Sequence, residues 1–292
     1  MSTATQVELV TAYAAATVRI REALAAAVDA SWLGLGAWRE EDIPRYLAQV
    51  LPLVNGSLAA MASLTDAYLA ALLTDMLGVP VTAALLPAAY PRPGVTPAEV
   101  YRRPFVTVWT ALSRDVPVTQ AVESGRARAV QTAVTDLQLA KRDASQARLA
   151  GDDRVVGYRR VLTGSKSCAM CALAATQRYH RSRLMPIHPG CNCAVAPLVA
   201  ATDPGQRINA AVVRDGAAFE DRGLESRGLT RGELDEVTDT NALHDAIATR
   251  FGAEVANRRG LGYRDLVAEH EHGELGPLMT RQGDHFTGPD DI

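Results

Sequence analysis

All four cysteines of the 292-residue chain fall between positions 168 and 193. They stand as Cys168-Ala-Met-Cys171, followed by Met185-Pro-Ile-His188-Pro-Gly-Cys191-Asn-Cys193. Two thiols separated by two residues can turn toward one ion, and zinc takes four such soft or borderline donors in a tetrahedron. The second string supplies three donors where two are needed. Cys168, Cys171, His188 and Cys191 make one set, and Cys193 in place of His188 makes the other. The spacing approaches a paired knuckle but is one residue short in its second half. On spacing, a structural zinc stands beside a disulfide, core thiols and a redox Cys-x-x-Cys as alternatives. A catalytic zinc is disfavoured, because it needs an open coordination position and a nearby acid or base, and residues 168–193 contain no Asp or Glu.

Other chemistry leaves few traces. His270-Glu-His272 has the wrong spacing to place two imidazoles on one helical face as in His-Glu-x-x-His, so a solvated tail is its default expectation. There is no Gly-x-Ser-x-Gly elbow and no phosphate-binding Gly-rich loop, and Gly216, Gly223 and Gly228 are scattered as loop punctuation.

The net charge of −3 and a pI near 6.1 exclude a general nucleic-acid coat, which needs excess positive charge to displace counterions. Between Lys141 and Arg183, however, ten Lys or Arg face three Asp. This surplus makes Arg159, Arg160, Arg178 and Arg181 candidates for contacts to DNA or an acidic partner, with a locally paired arginine surface as the competing expectation. The opening MSTATQVELV lacks a basic region followed by an apolar one, so synthesis in the cytoplasm is expected. Residues 46–65 are uncharged and long enough to cross a bilayer, but Gln49, Pro52, Asn55, Gly56 and Ser57 within them argue against a membrane span.

The elements that must position these residues can be read in outline. Leu9, Tyr13, Ala16, Ile20, Leu24 and Ala27 recur at helical intervals. A second helix begins near Asp42 and Pro44 and ends at Gly78-Val-Pro80, with Pro52 or Asn55-Gly56 as a candidate break. Thr96, Pro97 and Glu99 form a capping box for a third helix reaching about Leu112, which Pro104 should kink or split. A fourth runs from Pro117 to about Leu149, with a narrow seam of Val130, Ala133, Leu137, Ala140, Ala144 and Ala147. Residues 155–162 and Ala194-Val-Ala-Pro-Leu198 have strand character. The expected fold is α+β. A mostly helical N-terminal half (1–150) precedes a small α/β Cys/His module (151–202) and an extended, mixed C-terminal region with an acidic tail (203–292).

Ser167-Cys-Ala-Met-Cys171, Tyr179, the string from Arg183 to Cys193, and Val195-Ala-Pro197 together resemble the signature of MuF-like minor capsid proteins of tailed phages that infect actinobacteria. His272-Gly-Glu-Leu-Gly-Pro277 and Phe286-Thr-Gly-Pro289 resemble the closing segment of the same family. The resemblance implies a virion component inside the capsid, built in the host cytoplasm and associated with the portal protein. It would act in head morphogenesis and in DNA packaging or delivery, with the major capsid or scaffolding protein as further partners. Some relatives are fused to capsid maturation proteases, so a protease stands as one alternative and a zinc-stabilised nucleic-acid-binding protein as another.

Overall fold

The computed structural model describes residues 3–84, 89–161, 163, 174, 178–188, 193–199 and 267–281. Among these, four helices come first: α1 Thr3–Leu33, α2 Ile43–Leu77, α3 Pro97–Leu112 and α4 Val118–Ala150. Five strands follow: β1 Gly157–Val161, β2 Arg178–His180, β3 Ala194–Leu198, β4 Val267–His272 and β5 Gly276–Arg281. β1 lies between β2 and β3 and is antiparallel to both, while β4 and β5 form a separate antiparallel hairpin. The fold is α+β, as the sequence leads one to expect.

Local chemistry explains the helix limits. Thr96 Oγ1 accepts the Glu99 N–H at 3.2 Å while Glu99 Oε2 accepts the Thr96 N–H at 2.7 Å, so the expected capping box closes α3 at its start. Gly78 takes a left-handed conformation (φ 68°) that ends α2, a position where a side chain would be strained. Neither internal proline splits its helix. Pro52 and Ala48, whose carbonyl loses its usual donor, are both exposed, so that carbonyl can turn to water.

Two helices differ from the periodic pattern. In α1 the buried residues are Val10, Tyr13, Ala14, Leu24, Val28 and Trp32, while Leu9, Ala16, Ile20 and Ala27 are half-buried, so the expected face is one part of a broader apolar stripe. The cause is that α1 packs on both α2 and α4, which demands a wider stripe than one partner would. In α4 the expected seam is buried at Ala133, Leu137, Ala140 and Ala144, but Ala147 is exposed and every residue from Thr135 to Arg142 is buried. From Thr135 to Arg142 α4 is therefore enclosed on all sides, not along one seam, because α1, α2 and α3 all pack on it.

Two apolar clusters result. One is helical and centres on Trp32, whose ring meets Tyr46 at 5.7 Å and Phe105 at 5.0 Å, both edge-on. Gly125 of α4 seats this cluster: a Cβ there would stand 2.7 Å from the Trp32 ring and 2.9 Å from the Pro104 carbonyl. The other cluster joins α1, α2 and α4 to the sheet and the hairpin. In it Tyr13 stacks on Tyr68 at 4.1 Å, and the Tyr68 hydroxyl donates to the Val195 carbonyl at 3.1 Å. α2 and the turn before it are long and apolar enough to cross a membrane by length and composition, yet Tyr46, Val50, Val54, Leu58 and Met61 are buried within the helical half.

Candidate functional site

His188 and Cys193 are the two candidate metal ligands that fall among the described residues, and both are buried. Cys168, Cys171 and Cys191 lie outside those residues. Burial is what a closed structural site asks of its donors, so these two side chains meet that requirement. Among the described residues no group of three or more His, Cys, Asp or Glu gathers around a common point.

The backbone that carries His188 is fixed from both sides. The Ile187 N–H donates to the Pro277 carbonyl at 3.1 Å, and the Met279 N–H donates to the Ile187 carbonyl at 2.7 Å. Ile187 thereby forms an isolated parallel bridge with Leu278 at the edge of the hairpin. From the sheet, Arg160 donates to the Pro186 carbonyl while its guanidinium sits 5.7 Å from the centre of the Tyr179 ring. Tyr179 stacks on its cross-strand partner Tyr158 at 5.1 Å, and the Tyr158 hydroxyl donates to the Arg183 carbonyl at 2.7 Å.

These contacts correct the expectation for Arg160. Arg160 is 1% exposed, so it holds the His188 segment in place and cannot touch DNA. Arg181 pairs with Asp153 at 2.9 Å and donates to the Asp152 carbonyl at 3.0 Å. Arg159 is half-buried, and Arg178 lies opposite it in β2. Arg148 pairs with buried Asp66 at 2.6 Å, Arg154 with Asp152 at 2.7 Å, and Arg183 with Glu269. Asp152 and Asp153 already stand in the segment's own count of three acids, so the acids from outside it, Asp66 and Glu269, offset two charges of the surplus.

A second polar cluster, not anticipated from the sequence, joins the hairpin to the helices. Asp136 of α4 is fully buried and accepts three hydrogen bonds: from Arg92 Nε at 2.6 Å, Tyr90 at 3.1 Å and Tyr101 at 3.0 Å. Arg92 reaches on to Glu274 at 2.6 Å, and Arg103 forks onto both oxygens of Glu274 at 2.8 and 2.9 Å. Burial pushes the Asp136 carboxyl upward against the pull of Arg92 and the two hydroxyls. Burial also raises the Tyr101 hydroxyl, aided by the Asp136 charge. For Glu274 burial again opposes the charge, but the bonds from Arg103 and Arg92 outweigh it and hold the carboxyl below its ordinary range.

The string from His272 to Pro277 is built to dock. His272 Nδ1 lies 3.3 and 3.2 Å from the N–H groups of Glu274 and Leu275, closing the turn between the strands. Glu274 takes the arginine fork, Leu275 is buried, and the Leu275 carbonyl accepts from Arg142 Nη1 at 2.6 Å. Gly276 is left-handed (φ 68°), and a Cβ there would meet the Arg142 guanidinium at 3.3 Å. Pro277 offers its carbonyl to Ile187. The segment expected to be a solvated tail is instead a wedge between α4 and the Cys/His module.

Chemically the arrangement holds rather than reacts, since the oxygens of Asp136 and Glu274 are engaged by arginine and tyrosine donors. Fold and site define a helical α+β protein whose small sheet is tied to the helices by a hairpin distant in sequence. Compared with known proteins, the chain matches no family model, no curated protein and no solved structure.

Proposed function

We propose that the chain is a structural component of a tailed-phage head: a minor capsid protein held at the portal inside the capsid, acting in head morphogenesis and in packaging or delivery of DNA. The observation that carries this proposal is the interlocking of the segments that bear the family resemblance. Residues 183–188 and 193–197 are separated from 272–277 by long stretches of chain, yet Ile187, Pro277 and Met279 exchange backbone hydrogen bonds. A signature whose distant pieces meet in one packed module suits a part that must keep its shape under load. Mass spectrometry of purified proheads and virions should detect the chain in few copies. Its absence from both would overturn the proposal.

Within that module we propose a structural zinc drawn from Cys168, Cys171, His188, Cys191 and Cys193, and the burial of His188 and Cys193 supports it. The metal would supply only a cross-link between strings of chain. Protein purified without added metal should contain about one zinc per chain. Cysteines that all titrate freely in metal-free native protein would overturn this assignment.

A further inference from the structure

A cleft of about 730 Å3 opens where the proline-rich link before α3, the middle of α4, the loop after β2 and the hairpin meet. That volume falls within the usual range for ligand pockets, roughly 300–1,000 Å3. Its apolar lining comes from Tyr90, Pro91, Pro93, Leu184 and Pro277. Prolines and an aromatic ring spaced along a groove suit an extended chain, whose backbone is ordered at low entropic cost and lays side chains on flat apolar surfaces.

Charge and hydrogen bonding narrow the occupant. Arg183 lines the cleft but is paired with Glu269. Asp143 and Glu271 then stand against the single guanidinium of Arg142. The Asp143 side chain is 46% exposed and Glu271 is exposed, while that of Arg142 is only 4% exposed, so the mouth presents negative charge. Inside, Arg142 Nη1 donates to the Leu275 carbonyl at 2.6 Å and Nε reaches Asp143 at 3.4 Å. Nη2 has no acceptor among the described residues. The guanidinium already donates to a peptide carbonyl through Nη1, and a second carbonyl at Nη2 is an acceptor of the same kind.

We propose that this cleft binds an extended, basic peptide segment of a protein partner. A backbone carbonyl of the segment accepts from Arg142 Nη2, a Lys or Arg side chain lies between Glu271 and Asp143, and apolar residues rest on Tyr90, Pro91 and Pro277. Because the hairpin forms one wall, an occupied cleft also favours the docked hairpin. The assignment rests on the geometry of the cleft and stands apart from the capsid proposal.

The test uses the full isotope-labelled chain titrated with two blocked peptides, Ac-Ala-Pro-Arg-Pro-Ala-NH2 and its counterpart with Glu for Arg. The arginine peptide should shift the amide resonances of Leu184, Glu271 and Gly273, and the glutamate peptide should not. Glu271→Gln should weaken binding roughly two- to five-fold, the scale of an exposed ion pair. Gly273→Tyr, at a position where an added Cβ meets nothing within 4 Å, should fill the cleft and abolish binding without disturbing the fold. Equal binding of both peptides, no shift at these amides with the arginine peptide, or unaltered binding to the Gly273→Tyr chain would overturn the proposal.

Discussion

The neighbourhood of Trp32 and the neighbourhood of Glu274 are both places where α3 and α4 meet another element, but different forces hold them. Around Trp32 three aromatic rings meet edge-on, a glycine removes the one side chain in the way, and no ion pair takes part in the ring contacts. Around Glu274 the same two helices, with the link before α3, grip the hairpin through Arg92 and Arg103, a buried acid and the Tyr90 and Tyr101 hydroxyls. Apolar packing is nearly indifferent to salt and mild acid, whereas charged contacts are not. The helical half thus owes its cohesion mainly to apolar packing and the hairpin seam mainly to charge.

The sharpest way to break the contrast is at its apolar end. Trp32→Ala should lower global stability by about 3–5 kcal/mol, the range for emptying a large aromatic from a packed core. The denaturant midpoint should fall equally at low and high salt; a strong salt dependence would mean that charge, too, holds this end. Next comes Asp136→Asn, which leaves Arg92 short of a counter-charge in a buried site and should cost about 3 kcal/mol, the low end for removing one partner of a buried pair. Loss of hydrogen-exchange protection should reach both α4 and the hairpin. If the hairpin amides are untouched, Asp136 does not support the Glu274 clamp.

Glu274→Gln should have the smallest effect, about 1 kcal/mol from weakened charge-assisted bonds, and it should shrink as salt is added. Its pH dependence has a defined sign. A carboxyl held below its ordinary value adds stability that is fully present above the unfolded value of about 4.3 and is lost as pH falls through the lower folded value. The stability difference between the native chain and Glu274→Gln, measured by denaturant at neutral pH and again in acid, should therefore close at the acid end. A difference that stays constant would show that the arginine fork is not a charge clamp.

The helices were legible because their limits depend on local chemistry: the Thr96 and Glu99 box, the Gly78 stop and the Pro117 start act within a few residues. β3 was legible for the same reason, as a short apolar run between breakers. The cysteine cluster was also legible as a candidate, though three of its five possible donors fall outside the described residues. The faces of α1 and α4 were not, since periodicity shows that a side is apolar but not how many neighbours it must meet. Arg160 misled most. A count of charges says nothing of pairing, and Arg160 reads like any surface arginine until the strands place it under Tyr179.

The sequence by itself determined the four helices, β1 and β3 with their approximate ends, and a candidate donor set that includes His188 and Cys193, because those depend on neighbours along the chain. Only the tertiary structure decided that the hairpin, 68 residues beyond β3, lies against Ile187 and α4, and that Glu274 is gripped by Arg92 and Arg103. Pairings at that separation depend on loop closure and shape, which leave no periodic trace in the sequence.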